Sequence, residues 1–143
     1  MVFADTSFLI SLYGQDVNTA AAKQQVNAYG RPIHVTVINE FEFANALRLL
    51  VFRGKITSAS RCAQILAYEA DKSAGNVVYN PCDTGGIFLR AESISATHTE
   101  TSGHRAYDIL HVSAALRLGA TEFWSFDVKQ RSLAQAEGLR VGP

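Results

Sequence analysis

The stretch VFADTSFLI, residues 2–10, decides the fold, because an apolar strand passes directly into a helix without an intervening loop. Its first three residues lack polar alternation, which is typical of a strand covered on both faces. Asp5 follows at once, and Thr6 and Ser7 add two hydroxyl groups. Open parallel sheets bind ligands beyond the carboxyl ends of their strands. A carboxylate at this position therefore raises the question of which other acids could stand beside it.

The rest of the chain repeats the same strand-to-helix alternation. Short runs rich in β-branched or aromatic residues predict strands at 2–4, 33–37, 77–79, 123–126 and 139–141. Apolar periodicity predicts helices at roughly 7–13, 17–28, 37–52, 58–73, 84–98, 107–118 and 128–137. Alternating elements of this kind imply a parallel sheet with helices on both faces. We therefore expect a three-layer α/β/α sandwich.

Helix boundaries are indicated by capping residues. Asp16, Ser58 and Asp83 precede apolar-periodic segments, where an N-cap is expected. Gly119 and Gly138 stand where helix ends favour a left-handed residue. The segment KSAGN (72–76) is expected to form a loop.

Composition limits the classes of protein to consider. With 143 residues, 48% of them hydrophobic, the chain is expected to form one domain spanning 1–143 with a sizeable core. The net charge of +0 provides no overall basic field for nucleic acid, although a local contact remains compatible with it. Cys62 and Cys82 form no CxxC pair, which argues against a disulfide framework or a zinc site. Without an apolar span or a signal sequence, we expect a cytoplasmic protein without membrane contact.

Several acids are candidates for a shared site. Asp5 and Asp127 end two predicted strands, so their carboxylates meet if those strands are neighbours. Asp108 lies near the start of an apolar helix, and Glu40 and Glu42 lie on another. Buried carboxylates are costly unless they are paired or coordinated, and few cations lie nearby in the sequence, Arg105 excepted. A hard divalent cation, Mg²⁺ or Mn²⁺, would resolve this conflict.

Each acid also has a purely structural explanation. Asp5 and Asp127 are well placed to cap the helices that follow them, and Asp108 suits a helix N-terminus. Glu40 and Glu42 are two positions apart, so they face nearly opposite sides of a helix and only one can enter a shared site. Helical periodicity alone does not choose between them.

Four blocks of the sequence resemble the PIN-domain family, in particular the VapC-like ribonuclease toxins of toxin–antitoxin pairs. They are FADTSFLI (3–10), EFANAL (42–47), HRAYDILHVSAAL (104–116) and FWSFDVKQRSLAQAEGLRV (123–141). The resemblance spans nearly the whole chain and implies a parallel α/β/α sandwich with Mg²⁺- or Mn²⁺-dependent cleavage of RNA. It also implies a cognate antitoxin as partner and a homodimer.

The resemblance assigns residues to an acidic site. The four catalytic acids it implies are Asp5, Glu42, Asp108 and Asp127. It selects Glu42 over Glu40, makes the three aspartates the metal ligands, and leaves Glu42 to complete the cluster or position water. Thr6 and Ser7 are expected to orient Asp5. Arg105 is expected to contact phosphate or pair with the acids, and Ser125 stands where the family commonly has Thr.

Two other functions and one other metal site were weighed. A non-catalytic RNA- or protein-binding module is disfavoured because all four acids are retained. A phospho-acceptor domain would need paired acids after the first strand and a Lys after the last, and the chain has neither. Asp108 and His111 share a helical face, but two ligands do not make a zinc site. A packed histidine bonded to a neighbour is the favoured explanation of His111, and His98 and His104 are expected in a loop.

Overall fold

A computed structural model describes residues 1–143 and shows a five-stranded, wholly parallel sheet with seven helices. The strands are β1 Val2–Ala4, β2 Ile33–Val35, β3 Val77–Tyr79, β4 Glu122–Trp124 and β5 Arg140–Gly142. The helices are α1 Thr6–Tyr13, α2 Thr19–Tyr29, α3 Val37–Phe52, α4 Ser58–Ser73, α5 Thr84–Ser102, α6 Ala106–Arg117 and α7 Val128–Ala136. None of the helices combines the length and the apolar character needed to cross a membrane.

The strand order β3-β2-β1-β4-β5 places β1 at the centre of the sheet. β1 pairs in parallel with β4, and Phe3 lies opposite Phe123. The chain continues this contact beyond both strands, since the Asp5 amide donates to the Trp124 carbonyl at 3.0 Å. The carboxyl ends of β1 and β4 therefore meet, which is the condition that brings Asp5 and Asp127 to one edge.

Successive residues of β1 belong to two separate hydrophobic cores. Phe3 packs with Phe123 in a core completed mainly by α5, α6 and α7. Val2 and Ala4 pack into the other core with side chains of α1, α2, α3 and α4. This alternation follows the two-residue period of a strand. Helices therefore cover both faces of the sheet, and the predicted three-layer α/β/α sandwich is confirmed.

Some predicted boundaries differ from the structure where polar residues cap helices. β2 ends at Val35 because Thr36 is the N-cap of α3, and β4 ends at Trp124 because the chain turns before α7. Asp16 does not begin α2, which starts at Thr19 after Asn18. Instead, Asp16 accepts hydrogen bonds from the Asn18 amide and the Ser11 hydroxyl.

Of two further N-cap predictions, one is wrong and the other is confirmed in position only. Thr57, not Ser58, caps α4, and its hydroxyl accepts a hydrogen bond from the Ser60 amide. Asp83 occupies the N-cap position of α5 but forms no capping bond. It pairs instead with Arg117 across 3.3 Å.

The left-handed conformation predicted for two glycines is confirmed, and one predicted helix end is wrong. Gly119 and Gly138 have φ values of 70° and 89°, in the left-handed region expected for them. α5 continues to Ser102, so His98 is helical and the loop prediction for it was wrong. Nε2 of His98 donates to Oε1 of Glu137 at 2.9 Å, and Glu137 also pairs with Arg90, so both side chains tie this part of α5 to the end of α7.

Candidate active site

Asp5 is almost completely buried at the carboxyl end of β1 and is held from several directions. Its Oδ1 accepts the Phe8 amide at 2.8 Å, which makes Asp5 the N-cap of α1. The Ser7 hydroxyl lies 2.9 Å from the same oxygen, and the Ser125 hydroxyl lies 2.7 Å from Oδ2. Ser7 and Ser125 thus fix the carboxylate, while the Thr6 hydroxyl is turned toward His111 at 3.3 Å. The capping role and an orienting network are both present at one residue.

Asp127 lies beyond β4 and begins α7. Its Oδ1 accepts the Gln130 amide at 3.0 Å, so the predicted N-cap is confirmed. The Asp127 amide donates to the Ser125 hydroxyl at 3.0 Å. Because Ser125 also donates to Asp5, this one hydroxyl links the ends of the two neighbouring strands. Asp127 and Gln130 have the sequence spacing of a capping box, but the Gln130 side chain turns instead to Ser125, with its Oε1 3.3 Å from that hydroxyl.

Glu42 enters the site from α3 and is oriented by a histidine of α6. Oε2 of Glu42 lies 2.6 Å from Nε2 of His111, whose side chain is almost completely buried. Nδ1 of His111 is also buried and has no hydrogen-bond partner. Because a carboxylate only accepts hydrogen bonds, Nε2 of His111 is the donor in its contact with Glu42. The favoured explanation, a packed histidine bonded to a neighbour, agrees with this geometry.

Asp108 and Arg105 lie at the start of α6. Oδ2 of Asp108 accepts the Arg105 amide at 3.2 Å, which closes the first turn of the helix. The Arg105 guanidinium forms no ion pair with any carboxylate, so the ion-pair alternative for this residue is absent from the structure. Arg105 is exposed and its charge is free to meet a ligand.

These side chains surround one cavity of about 450 Å³. All four predicted acids line it, and so do Thr6, Ser7, Arg105 and Gln130. Asp16 is a fifth acid in the wall, and sequence analysis had given it only a capping role. Arg105 is the single Lys or Arg among the lining residues. The wall therefore carries five carboxylates against one permanent cation.

Glu40, the alternative to Glu42, points elsewhere. Its Oε1 pairs with Nζ of Lys72 on α4 and lies 3.5 Å from the Tyr68 hydroxyl. This contact raises the pKa of Lys72, although partial burial acts in the opposite direction. The helical argument that only one of the two glutamates can enter the site is thus satisfied, with Glu42 in the cavity wall.

The acids of the cavity do not share one electrostatic state. Burial raises the pKa of Asp5 to about 6, although the Phe8 amide, His111, Ser125 and Ser7 all act to lower it. Burial also raises the pKa of Asp108, and the charges of Asp127 and Glu42 add to the increase. Burial opposes ionisation of Glu42 as well, but the His111 contact outweighs it and lowers the pKa of Glu42. Divergent pKa values of this kind are characteristic of functional sites.

The donor chemistry of the cavity fits a hard divalent cation. Oδ1 of Asp108 and Oδ2 of Asp127 accept no hydrogen bond from the protein, so each has a free oxygen. In their present positions, no three His, Cys, Asp or Glu side chains are spaced to hold one metal ion. Mg²⁺ usually keeps several waters and uses only one or two carboxylates directly. The residues therefore fit such an ion in donor type and charge, provided that water completes its coordination.

Comparisons with known proteins agree on the fold. Mycobacterium tuberculosis VapC20, described as a sarcin-ricin loop cleaving toxin, has a TM-score of 0.72 at 18% identity, covering 100% of both chains. PAE2754 from Pyrobaculum aerophilum has a TM-score of 0.65 at 13% identity, covering 98% of this chain and 87% of its own. FitAcB from Neisseria gonorrhoeae has a TM-score of 0.59 at 14% identity, covering 100% of this chain and 97% of its own.

The comparisons by sequence decide to which family the chain belongs. No curated protein matches the chain. The identities to the three solved structures are low, so those likenesses speak for the fold and not for the chemistry. The family profile described as "PIN domain" matches residues 2–136, almost the full length of 143 residues. The chain therefore belongs to the PIN-domain family.

Proposed function

We propose that this protein is a ribonuclease that cleaves RNA phosphodiester bonds with the help of Mg²⁺ or Mn²⁺. The observation that carries the proposal is the cavity wall, where five acids from different parts of the chain face a single permanent cation. Clustered carboxylates raise one another's pKa and are costly without a counter-charge. PIN-domain membership makes nuclease chemistry the natural use of such a site.

Asp5, Asp108 and Asp127 would hold the divalent ion, directly or through water. When bound, this ion would supply a water of lowered pKa and would neutralise charge on the phosphate. Ser7 and Ser125 hold the Asp5 carboxylate in one orientation, and the capping bonds of Asp108 and Asp127 restrict those side chains. Such second contacts commonly set the geometry of metal ligands.

Glu42 and Arg105 have separate roles in this mechanism. The bond to His111 keeps Glu42 ionised and fixes one carboxylate oxygen, so the group is suited to orient the attacking water or accept its proton. Arg105 is unpaired at the cavity wall and can donate to a phosphate oxygen of the substrate. No protein side chain needs to form a covalent intermediate.

The physiological role is proposed from the same relatives. One structural neighbour is described as a sarcin-ricin loop cleaving toxin, and we extend a toxin role to this chain. A toxin of this kind would act in the cytoplasm, assemble as a homodimer and be neutralised by a cognate antitoxin protein. Light scattering of the purified protein, alone and with the product of a neighbouring small open reading frame, tests the two assemblies.

The activity is tested by incubating the protein with RNA in Mg²⁺, in Mn²⁺ and in EDTA. Cleavage is expected with either ion and is expected to be lost in EDTA, because the acids alone cannot activate water or neutralise phosphate. Equal cleavage in all three conditions would reject the mechanism. Calorimetric titration of Mg²⁺ and Mn²⁺ into the protein separates the remaining alternative: a non-catalytic binding module is favoured if neither ion binds and RNA stays intact.

A further inference from the structure

Two exposed aromatic rings stand beside the acidic cavity. Phe41 of α3 immediately precedes Glu42, and Tyr107 of α6 immediately precedes Asp108. The Phe41 side chain is 59% exposed and Tyr107 is 38% exposed. Their ring centroids lie 6.3 Å apart with an interplanar angle of 27°, an offset stack. Neither ring belongs to either hydrophobic core.

The position of the pair connects it to the site. The residue that follows each ring lines the acidic cavity, and both helices also meet at the Glu42–His111 contact. Neither ring lines the cavity itself, but their contact joins α3 and α6 one position before the two acids that these helices contribute to the wall. A nearly parallel pair with exposed faces offers an apolar surface on which another flat ring can stack.

The acidic wall repels RNA, which is a polyanion, so an uncharged contact surface would help the site to bind it. The cavity wall carries five acids and one permanent cation, and the net charge of the whole chain is +0. Phosphate contacts, which usually dominate nucleic-acid affinity, have little to work with here. Base–aromatic stacking is an uncharged source of affinity, and every base presents a face for it.

We propose that Phe41 and Tyr107 form a stacking platform for an unpaired nucleobase of the RNA substrate. This inference rests on the proposed ribonuclease function and adds the surface on which a base of the substrate would be held. A base inside a duplex has both faces covered by its neighbours, so the platform selects bases that are already splayed out. The stacked base would deliver its adjoining phosphate to the acidic wall.

The test is direct binding of a short unstructured RNA that carries a fluorescent adenine analogue, whose emission falls on stacking. EDTA is present throughout to prevent cleavage. The same oligomer with abasic sugars measures the contribution of the backbone alone. Wild-type protein is expected to quench the analogue and to bind the abasic oligomer more weakly. From the usual effect of removing one stacking ring, Phe41→Ala and Tyr107→Ala are each expected to weaken binding roughly 5- to 100-fold.

Three variants separate ring stacking from general packing. Phe41→Tyr keeps an aromatic face and should retain binding, whereas Phe41→Leu keeps apolar bulk and should lose it. Phe52→Ala removes a more exposed phenylalanine from the far end of α3 and should bind like the wild type. Circular dichroism of each variant shows that the fold is intact.

Several results would overturn the platform. These are no quenching by the wild type, equal binding of the abasic oligomer, or unchanged binding by Phe41→Ala. A fall in molar mass for Phe41→Ala by light scattering would also overturn it, because the rings would then be a contact between two copies of the chain. If RNA is cleaved with Mg²⁺ while Phe41→Ala binds normally, only this inference fails. If the base stacks but RNA is never cleaved, the platform stands and the ribonuclease proposal fails.

Discussion

Two of the protein's cavities lie at opposite ends of the parallel strands, and they differ in the balance of their charges. The acidic cavity lies at the carboxyl ends of β1 and β4 and measures about 450 Å³. The second cavity lies near the amino ends of β2 and β3, where Pro32 and Asn76 line it, and measures about 640 Å³. The larger of the two is not the one that carries the candidate chemistry.

In the second cavity positive charge outnumbers negative charge, with one acid and two cations in its lining. Its one acid, Asp71, accepts the Tyr13 hydroxyl at 2.9 Å and the Asn76 side-chain amide at 3.0 Å. Lys23 and Arg31 line the same space and supply positive charge. Burial raises the pKa of Tyr13, and the contact with Asp71 raises it further, so the pair keeps a neutral phenol beside a carboxylate.

The acidic cavity lacks that balance. Its neutral partners are hydroxyls and amides, which orient a carboxylate without cancelling its charge. In the proposed mechanism, a bound divalent cation would supply the missing positive charge. An excess of negative charge, and not the volume of a cavity, therefore marks the candidate site. It also indicates where substitutions should affect activity and where they should affect only stability.

Among the substitutions, Asp108→Asn should reduce the rate of RNA cleavage most. The change removes a proposed ligand while keeping the side chain's size, and should lower the cleavage rate by at least about 100-fold, the upper end of the losses seen for supporting residues. Asp71→Asn is the matched control in the second cavity and should cleave like the wild type. If Asp71→Asn proves as damaging as Asp108→Asn, the distinction between the two cavities is lost. Initial rates at saturating Mn²⁺ measure both variants.

Sequence patterns predicted the frame of the molecule because strands and helices depend mainly on local periodicity. All five strands and all seven helices appear close to their predicted positions. The same logic placed Asp5 and Asp127 at one edge, since it needed only that β1 and β4 be neighbours. Boundaries shifted where a side chain satisfied a helix end, as Thr36 and Thr57 do.

Side-chain partners were harder to predict because they join distant parts of the chain. The partner of Glu40 is Lys72, 32 positions away, and that of Glu42 is His111, 69 positions away. Helical spacing shows that the two glutamates diverge, but it contains no information on what each one meets. The family resemblance selected Glu42. The place of Asp16 in the cavity wall was missed because sequence spacing does not show which distant residues a side chain meets. The one sequence feature that pointed to a shared acidic site was the surplus of acids over nearby cations.

A second prediction concerns the stability of the metal-free protein. Asp5→Asn removes a buried charge, and the rise in pKa from 3.8 to about 6 corresponds to a penalty of about 3 kcal/mol on the ionised form. In this variant an amide NH₂ group replaces the oxygen that accepts the Ser125 hydroxyl, so that hydrogen bond is lost. The loss cancels about 1 kcal/mol of the gain in stability. The free energy of unfolding should therefore increase by about 2 kcal/mol at pH values well above 6. The same variant should lose RNA cleavage.

The pH dependence of this effect has a definite sign. Folding raises the pKa of Asp5, so the folded wild type binds the proton more tightly than the unfolded chain does. Lowering the pH through about 6 toward 3.8 therefore removes the penalty in the wild type. The advantage of Asp5→Asn should then disappear and leave the variant about 1 kcal/mol less stable, because the lost hydrogen bond remains. Urea denaturation of both proteins in EDTA across this range gives the difference. An advantage that stays constant with pH would mean that packing, not charge, is responsible.

The smallest effect is expected at Glu40, two residues from the site but already compensated. Its ion pair with Lys72 is partly exposed, with 31% of the glutamate side chain accessible, and such pairs typically contribute less than about 1 kcal/mol. Glu40→Gln should lower the free energy of unfolding by that amount or less and leave RNA cleavage unchanged. Glu42→Gln keeps the same size on the same helix and should lose cleavage. Both variants carry the same chemical change. A loss of RNA cleavage in Glu40→Gln would therefore show that an ion pair with a cation does not distinguish structural acids from catalytic ones.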